Sequence, residues 1–320
     1  MPAIHTHFRF HPQITQIGCY WGEVGHTELY LLEGEQLAII DTGCSDTPEG
    51  YILPALQDMG YSPRDLSVII NTHGHFDHAG GDARLVAATG AQVWMPEKDV
   101  EVAENLDRQF ELYFAQNDTL VNRQDRLAAS LANLEQQGDP IKVDRALKDG
   151  GAISLGKGLD LRVIACPGHT PGSAAFYWER EGILFTGDSV TGIGSRMGGL
   201  PLLYYPADYE RTLDKLERLD INTICLGHHY RSLTLARESV KHGRDGKKFV
   251  AESREVARII SGGMGEALAL QPKASFLDAS RRALAIIGER LPLDLNAETG
   301  LPNNGPTAAL YANWLRYGER

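Results

Sequence analysis

Four side chains that can bind a metal ion lie within six residues of this sequence, at His73, His75, Asp77 and His78. The apolar run Ser67 to Ile70 precedes them and predicts a buried strand. In an extended loop, residues two apart point to the same side, so His73 and His75 can hold one ion. Asp77 and His78 begin the turn into the next helix and face a second position. The segment therefore predicts a metal centre at the carboxyl end of a strand, where open α/β sheets place ligands.

One loop cannot complete such a site, because zinc prefers four ligands and a hydrolytic site keeps one position for water. Three further candidates each follow a predicted strand and a glycine: His169, Asp188 and His228. A glycine lets the backbone turn and bring the next side chain inward. A single Gly-His pair usually marks only a turn. The prediction of a metal site therefore depends on all three candidates occurring in order, each after a predicted strand. His229 directly follows His228 and stays an alternative ligand.

The ordered pattern HxHxDH, then His, Asp and His, resembles that of the metallo-β-lactamase-fold hydrolases. The resemblance covers about residues 14–233. It implies an α/β fold of the αββα sandwich type with a dinuclear metal centre, most often of two Zn²⁺ ions. The presence of Asp188 argues against antibiotic hydrolysis, because many β-lactamases of this fold lack that aspartate.

The resemblance also implies a role for each ligand. Two sets of three side chains hold one ion each: the first set is His73, His75 and His169, and the second is Asp77, His78 and His228. Asp188 would bridge both ions through one carboxylate oxygen. Asp41, in the segment Ile39-Ile40-Asp41-Thr42-Gly43, matches a family position that supports the ligands from outside.

This metal centre predicts a hydrolase. Two divalent cations present a hydroxide at neutral pH, and the hydroxide attacks an electrophilic carbonyl or phosphorus. Asp77 is the predicted catalytic residue, which orients the nucleophile or carries its proton. We expect cleavage of a carboxylic ester, thioester or lactone of a small molecule. A phosphodiesterase or phosphotriesterase on the same centre is the alternative, and a non-catalytic metal-binding effector is a third that the complete ligand set argues against.

Two details bear on the substrate. Lactonases of this fold carry a tyrosine three residues after the bridging aspartate, where this chain has Thr191. The segments Gly192 to Arg196 and Gly227 to Tyr230 resemble those of glyoxalase II, a thioesterase, although the helical ending here departs from that family.

The elements that must position these ligands are short strands alternating with helices. Predicted strands include a hairpin over Thr27 to Leu32 and Gln36 to Ile40, and Asp46 and Asp82 are candidate helix N-caps. Further predicted strands precede the later ligands and the inserted region: Ala91 to Met95, Leu161 to Ala165, Ala174 to Trp178, Ile183 to Phe185 and Thr223 to Leu226.

Two regions interrupt this alternation. Residues 97–137 contain no glycine and favour helix, which predicts an inserted helical pair. Beyond about Ser232 no strand is predicted, and helical spacing recurs with a break at Gly262-Gly263. We therefore expect a sandwich domain over 1–235, with an insertion at about 97–140, and a helical extension over 236–320. Both regions are expected to wall the substrate pocket, and their apolar faces would also suit a homodimer.

Composition narrows the partners. The 320 residues carry 31 Lys+Arg against 42 Asp+Glu, a net charge of −11, which argues against nucleic acid or an anionic membrane as the main partner. No apolar run reaches the roughly 18 residues of a membrane span, and the first residues lack the features of a signal peptide. The cysteines lie far apart, which argues against a disulfide framework and favours a cytoplasmic enzyme: Cys19, Cys44, Cys166 and Cys225.

Overall fold

The strands form two β-sheets. The computed structural model describes residues 7–21, 25–114, 138–194, 200–292 and 306–318, and thirteen strands lie among them. The first sheet follows chain order: β1 His7–His11, β2 Ile14–Trp21, β3 Gly25–Glu33, β4 Leu37–Ile40, β5 Leu66–Ile70, β6 Gln92–Pro96 and β7 Arg145–Leu147. Strands β1 to β4 pair antiparallel, whereas β4 to β7 pair parallel.

The second sheet has six strands in the order β13, β12, β11, β10, β9 and β8. They span Ala152–Ser154 (β8), Asp160–Ala165 (β9), Ala174–Trp178 (β10), Ile183–Gly187 (β11), Thr223–Leu226 (β12) and Val240–His242 (β13). All neighbours pair antiparallel except β11 and β12. That parallel pair carries Asp188 and His228 just beyond its two strand ends.

The two sheets pack face to face. Alternate side chains of β3 point to opposite faces of the first sheet. Tyr30 packs in one buried cluster with side chains of the second sheet such as Phe176 and Phe185. Leu29 and Leu31 point the other way, into a cluster with the helices outside the first sheet. Strands covered on both faces need apolar residues throughout, which explains their nearly continuous hydrophobic sequences.

Helices cover both outer faces. Between β4 and β5 lie a helical turn Pro48–Ile52, which continues as α1 Leu53–Asp58, and a short turn Pro63–Asp65. Between β5 and β6 lie α2 Phe76–Ala79 and α3 Asp82–Thr89. After β6 come α4 Val100–Glu104, α5 Leu106–Gln109 and a helical turn Phe110–Phe114. The later helices are α6 Pro206–Leu216, α7 Arg244–Leu270, α8 Phe276–Gly288 and α9 Pro306–Gly318. The predicted αββα sandwich is confirmed, and among the described helices none is both long and apolar enough to cross a membrane.

Several local predictions need correction. Asp46 is not the N-cap, because Thr47 precedes the helical turn, and Asp82 is the first residue of α3 rather than its cap. A strand does follow Ser232, since β13 pairs with β12. Helix α7 continues through Gly262-Gly263 without a break. Gly263 is needed for packing instead, because a Cβ there would lie 2.5 Å from Cγ1 of Ile287 in α8.

The carboxyl-terminal helices complete the second sheet's outer layer. Phe249, Ile260 and Leu284 belong to one buried cluster with Tyr177 and Leu184 of that sheet. The described parts of these helices therefore pack on the sheet's outer face, and the expectation that they also wall the substrate pocket stays a prediction. The domain boundary at about residue 235 stays a prediction. Of the inserted region, residues 115–137 lie outside the described part of the chain.

Candidate metal centre

All seven predicted ligands come together at one edge of the sandwich. The loop after β5 and the short helix α2 supply the first four, and the other three follow β9, β11 and β12. Six of the side chains are buried, and Asp77 keeps only 14% of its side-chain surface exposed.

Their metal-binding atoms point at one another. Nδ1 of His75 lies 2.8 Å from Nε2 of His169, and His73 joins this pair within 4.8 Å. On the other side, Nε2 of His78 lies 3.2 Å from Nε2 of His228. Such short distances between imidazole nitrogens are typical of ligands that share one ion. Metal–nitrogen bonds of about 2 Å in tetrahedral geometry place the ligand atoms roughly 3.3 Å apart.

Asp188 lies between the two groups. Its Oδ2 is 3.5 Å from Nε2 of His169 and 3.4 Å from Nε2 of His228, while its Oδ1 is 3.5 Å from Nε2 of His78. Asp77 adds an oxygen 3.4 Å from the same nitrogen of His228. A carboxylate in this position can contact ions on both sides, as the bridging role requires.

The donor set fits divalent cations. Nε2 of His73 and Oδ1 of Asp188 are buried and have no hydrogen-bond partner among the described residues. Buried polar atoms without partners are costly in a folded protein, and a bound cation would satisfy them. Imidazole and carboxylate without thiolate suit zinc and neighbouring first-row metals.

Burial sets the protonation of the first histidine group. It lowers the pKa of His73 and His75 well below the ordinary value, and lowers that of His169 as well. These imidazoles are therefore neutral at physiological pH, which is the form that binds metal. His78 differs: burial lowers its pKa, but Asp188, Asp41 and Asp77 together raise the pKa to about 10.

Asp41 orients His78 from outside the centre. Its Oδ2 accepts a hydrogen bond from Nδ1 of His78 at 2.8 Å, which leaves Nε2 facing inward. Oδ1 accepts from the backbone N–H of Thr72 at 2.7 Å. Asp41 has a φ of 60°, a left-handed conformation that few residues other than glycine adopt. Strain of this kind persists where the surrounding structure requires it, and here it places the carboxylate behind a ligand.

Two other histidines are held in the same way. Nδ1 of His169 donates to the carbonyl of Leu202 at 2.7 Å, and Nδ1 of His228 donates to the carbonyl of His26. An oxygen acceptor behind each ring fixes its tautomer and its orientation. Three inward-facing nitrogens are thus set by the protein itself.

Glycines allow the ligand loops to approach one another. Gly227 lies so close that a Cβ there would be 2.7 Å from Oδ1 of Asp188 and 2.8 Å from Cε1 of His78. Gly187 has a φ of 48°, and a Cβ there would be 2.3 Å from Oγ1 of Thr72. The glycine before His228 is therefore required for space, whereas the one before Asp188 serves the backbone turn as well.

Sequence reasoning missed Asp99. This buried carboxylate accepts hydrogen bonds from the N–H of Gly74 at 2.9 Å and from Oγ1 of Thr170 at 2.9 Å, so it ties together the loops of His75 and His169. Gln109 of α5 also donates to the carbonyl of Gly74. No pattern near either residue indicated these contacts, since they join segments far apart in sequence.

The alternative ligand His229 faces away from the centre. Its Nε2 lies 2.7 Å from Oε1 of Glu28, and 39% of its side-chain surface is exposed. The arrangement therefore favours His228 of the two neighbours. Thr191, at the position where lactonases of this fold have tyrosine, is buried and hydrogen-bonded to the hydroxyl of Tyr209 at 2.9 Å.

Comparison with known proteins gives one family. The family model described as the metallo-beta-lactamase superfamily matches residues 23–228. Among curated relatives, the hydroxyacylglutathione hydrolase of Methylobacterium sp. (strain 4-46) is 29% identical over 250 residues, 75% of this chain and 79% of that protein. The enzyme of the same name from Jannaschia sp. (strain CCS1) is 29% identical over 190 residues, but the match spans 59% of this chain and only 57% of that relative.

Solved structures share the fold. A metallo-beta-lactamase family protein from Thermus thermophilus superposes with a TM-score of 0.70 at 20% identity, covering 97% of this chain and 95% of that one. A subclass B3 metallo-beta-lactamase of Bradyrhizobium japonicum gives a TM-score of 0.56 at 21% identity, covering 83% of this chain and 96% of that one. At such identities the likeness concerns architecture alone.

Proposed function

Because this chain belongs to the metallo-β-lactamase superfamily, we propose that it is a dinuclear metal-dependent hydrolase of small-molecule carboxylic esters, thioesters or lactones. The observation that carries the proposal is the convergence of four separate loops on one buried cluster of imidazoles and carboxylates. The name of its curated relatives makes an acyl thioester the first substrate to test. The matches cover only part of each relative. Experiments must therefore identify the acyl group and the thiol of the substrate.

In this proposal each ligand has one place. His73, His75 and His169 hold the first ion, while Asp77, His78 and His228 hold the second, with Asp188 between them. When bound, two divalent cations, which we take to be Zn²⁺, would activate water and polarise the scissile carbonyl.

Asp77 is the proposed catalytic residue. It is the ligand carboxylate with the greater exposure, 14% of its side chain against 7% for Asp188, so a substrate can approach it. A carboxylate at this position can take the proton that the attacking water gives up and pass it to the leaving group. Asp41 holds His78 so that its nitrogen faces the same space.

Hydrolysis can be tested directly. Metal-reconstituted protein would be assayed with p-nitrophenyl acetate, an S-acylglutathione and bis-p-nitrophenyl phosphate. We expect turnover of the acyl compounds, and the ratio of the first two would separate ester from thioester preference. Dominant turnover of the phosphodiester would move the assignment to phosphoryl transfer. Purified protein holding less than about half an ion per chain after reconstitution would remove every hydrolase assignment, since each depends on bound metal.

A further inference from the structure

A second group of metal-binding side chains lies beside the metal centre, and the proposed hydrolysis does not use it. It consists of His26, Glu28 and His229, which we call the outer cluster. Oε1 of Glu28 lies 2.7 Å from Nε2 of His229 and 3.2 Å from Nε2 of His26. One ligand atom from each residue lies within 4.8 Å of the other two. Two imidazoles and one carboxylate form a set that binds zinc in proteins and leaves a fourth position open.

The fold brings the outer cluster together across the two sheets. His26 and Glu28 are two residues apart in β3, so their side chains leave the same face of the first sheet. That is also the face on which Tyr30 packs against the second sheet. His229 comes from the loop after β12, and the N–H of Glu28 donates to the carbonyl of Gly227 in the same loop at 2.8 Å.

Glu28 is a charged side chain buried between the two sheets, which is unusual. It is 2% exposed, and its ion pairs in the described structure are those with His26 and His229. Burial raises its pKa, but hydrogen bonds from His229 and His26 bring the pKa down to about 2, so the group is an anion at neutral pH.

Two atoms of the outer cluster are buried without a hydrogen-bond partner among the described residues, Oε2 of Glu28 and Nδ1 of His26. A buried carboxylate oxygen without a partner is costly in a protein interior. A cation that contacts both oxygens of the Glu28 carboxylate would satisfy Oε2, but the site itself is carried by the spacing of Oε1 and the two imidazole nitrogens.

We propose that the outer cluster is a further metal site, which binds one zinc-type divalent cation through His26, Glu28 and His229 and joins β3 to the loop of His228. Tetrahedral zinc places its ligand atoms roughly 3.3 Å apart; the two oxygen–nitrogen distances of 2.7 and 3.2 Å are within about half an ångström of this spacing, and the two imidazole nitrogens lie within 4.8 Å of each other. This ion is separate from the pair proposed for hydrolysis.

The competing interpretation is a hydrogen-bonded Glu–His–His group that holds no ion. Both interpretations account for the short Nε2–Oε1 distances. They differ in the number of ions bound, because the outer cluster adds one equivalent to those of the metal centre. Zinc stoichiometry therefore decides between them without any measurement of activity.

The experiment is a zinc titration of chelator-stripped protein against a chromogenic chelator. We expect a third, weaker equivalent beyond two tight ones in the wild type. His26→Ala and His229→Asn should keep the two tight equivalents and weaken the third by at least about tenfold. His242→Asn is the matched control, since His242 lies in β13 with its Nδ1 near Oγ1 of Thr223, and it should keep the third equivalent.

Two results would overturn the proposal: a wild type that binds no third equivalent, or a third equivalent that His229→Asn leaves unchanged. The side chain of His229 is 39% exposed, so this variant should remain folded, and circular dichroism would verify that. Glu28→Gln gives a second check, because it keeps the shape of the side chain but removes the charge. Loss of the two tight equivalents in wild-type protein would count against the metal centre instead, so the two failures are distinguishable.

Discussion

The metal centre and the outer cluster use the same residue types in different ways. In the metal centre, His78, His169 and His228 each have an oxygen acceptor behind the ring, so their inner nitrogens are directed before any ion binds. In the outer cluster, both imidazoles turn towards a single carboxylate oxygen, and Nδ1 of His26 has no acceptor among the described residues. We therefore expect weaker binding at the outer cluster despite its similar ligands, because an ion there must first break the contacts between the imidazoles and the carboxylate.

The largest effect is expected where a ligand of the metal centre is removed. Asp188→Ala and His169→Ala should each lose at least one ion and lower kcat/KM by more than about 100-fold, because each removes a donor atom on which an ion of the centre depends. Metal analysis and steady-state assays on the preferred acyl substrate would measure both. His242→Asn serves as the control. Full turnover with both tight ions retained in either variant would contradict the ligand assignment.

A smaller loss is expected at Asp41, which supports a ligand without being one. Asp41→Asn should weaken binding of the second ion by about 10- to 100-fold, because the amide no longer stabilises the ring of His78 by charge. Asparagine tolerates the left-handed conformation that Asp41 adopts, so the backbone should be preserved. Competition titration would give the affinity. An unchanged affinity would show that the acceptor behind His78 does not preorganise the centre.

The seven candidate ligands could be located in the sequence because each one lies near a strand end, and the structure brings them together, while their role as ligands stays a prediction. Asp188 and His228 follow strands that could be recognised from apolar runs, and the ordered motif supplied the rest. Asp99 could not be predicted, since its partners Gly74 and Thr170 are brought to it only by the folded sheets. The outer cluster was not predicted for the same reason, because His229 and Glu28 come together only when the two sheets pack.

The same holds for the fold: elements determined by local sequence were predictable, and those determined by distant contacts were not. Long apolar strands and the hairpin of β3 and β4 were visible, whereas β13 was not, because its three residues Val240–His242 become a strand only by pairing with β12. Gly262-Gly263 suggested a helix end, yet α7 continues because α8 packs directly on Gly263. In both places a contact between distant segments decides the local structure, which no local pattern reveals.

Metal binding at the centre should depend on pH through His78. In the metal-free protein its pKa is raised to about 10, so the ring is protonated at pH 8, whereas a ligand must be neutral. Loading with zinc at pH 8 should therefore release about one proton from this ring, and affinity should rise about tenfold per pH unit up to about pH 10.

The pH dependence of folding stability has the opposite sign to that of metal affinity. The raised pKa of His78 stabilises the metal-free fold fully below the unfolded value of about 6.5, and this contribution is lost as pH rises to about 10. Calorimetry in two buffers of different ionisation enthalpy would count the protons released on loading. The same count in His78→Ala as in the wild type would assign the proton elsewhere.

The smallest effect on hydrolysis is expected from the outer cluster. The carbonyl of His26, and not its ring, accepts the hydrogen bond from His228, so His26→Ala keeps the acceptor that orients this ligand. With two equivalents of zinc, kcat/KM should fall by less than about tenfold, the lower limit for losing a group that supports a ligand. Asp41→Asn, whose side chain is itself the acceptor, gives the matched comparison under the same assay. If His26→Ala instead lost as much activity as Asp41→Asn, the imidazole of His26 would take part in hydrolysis, and the separation of the two sites would fail.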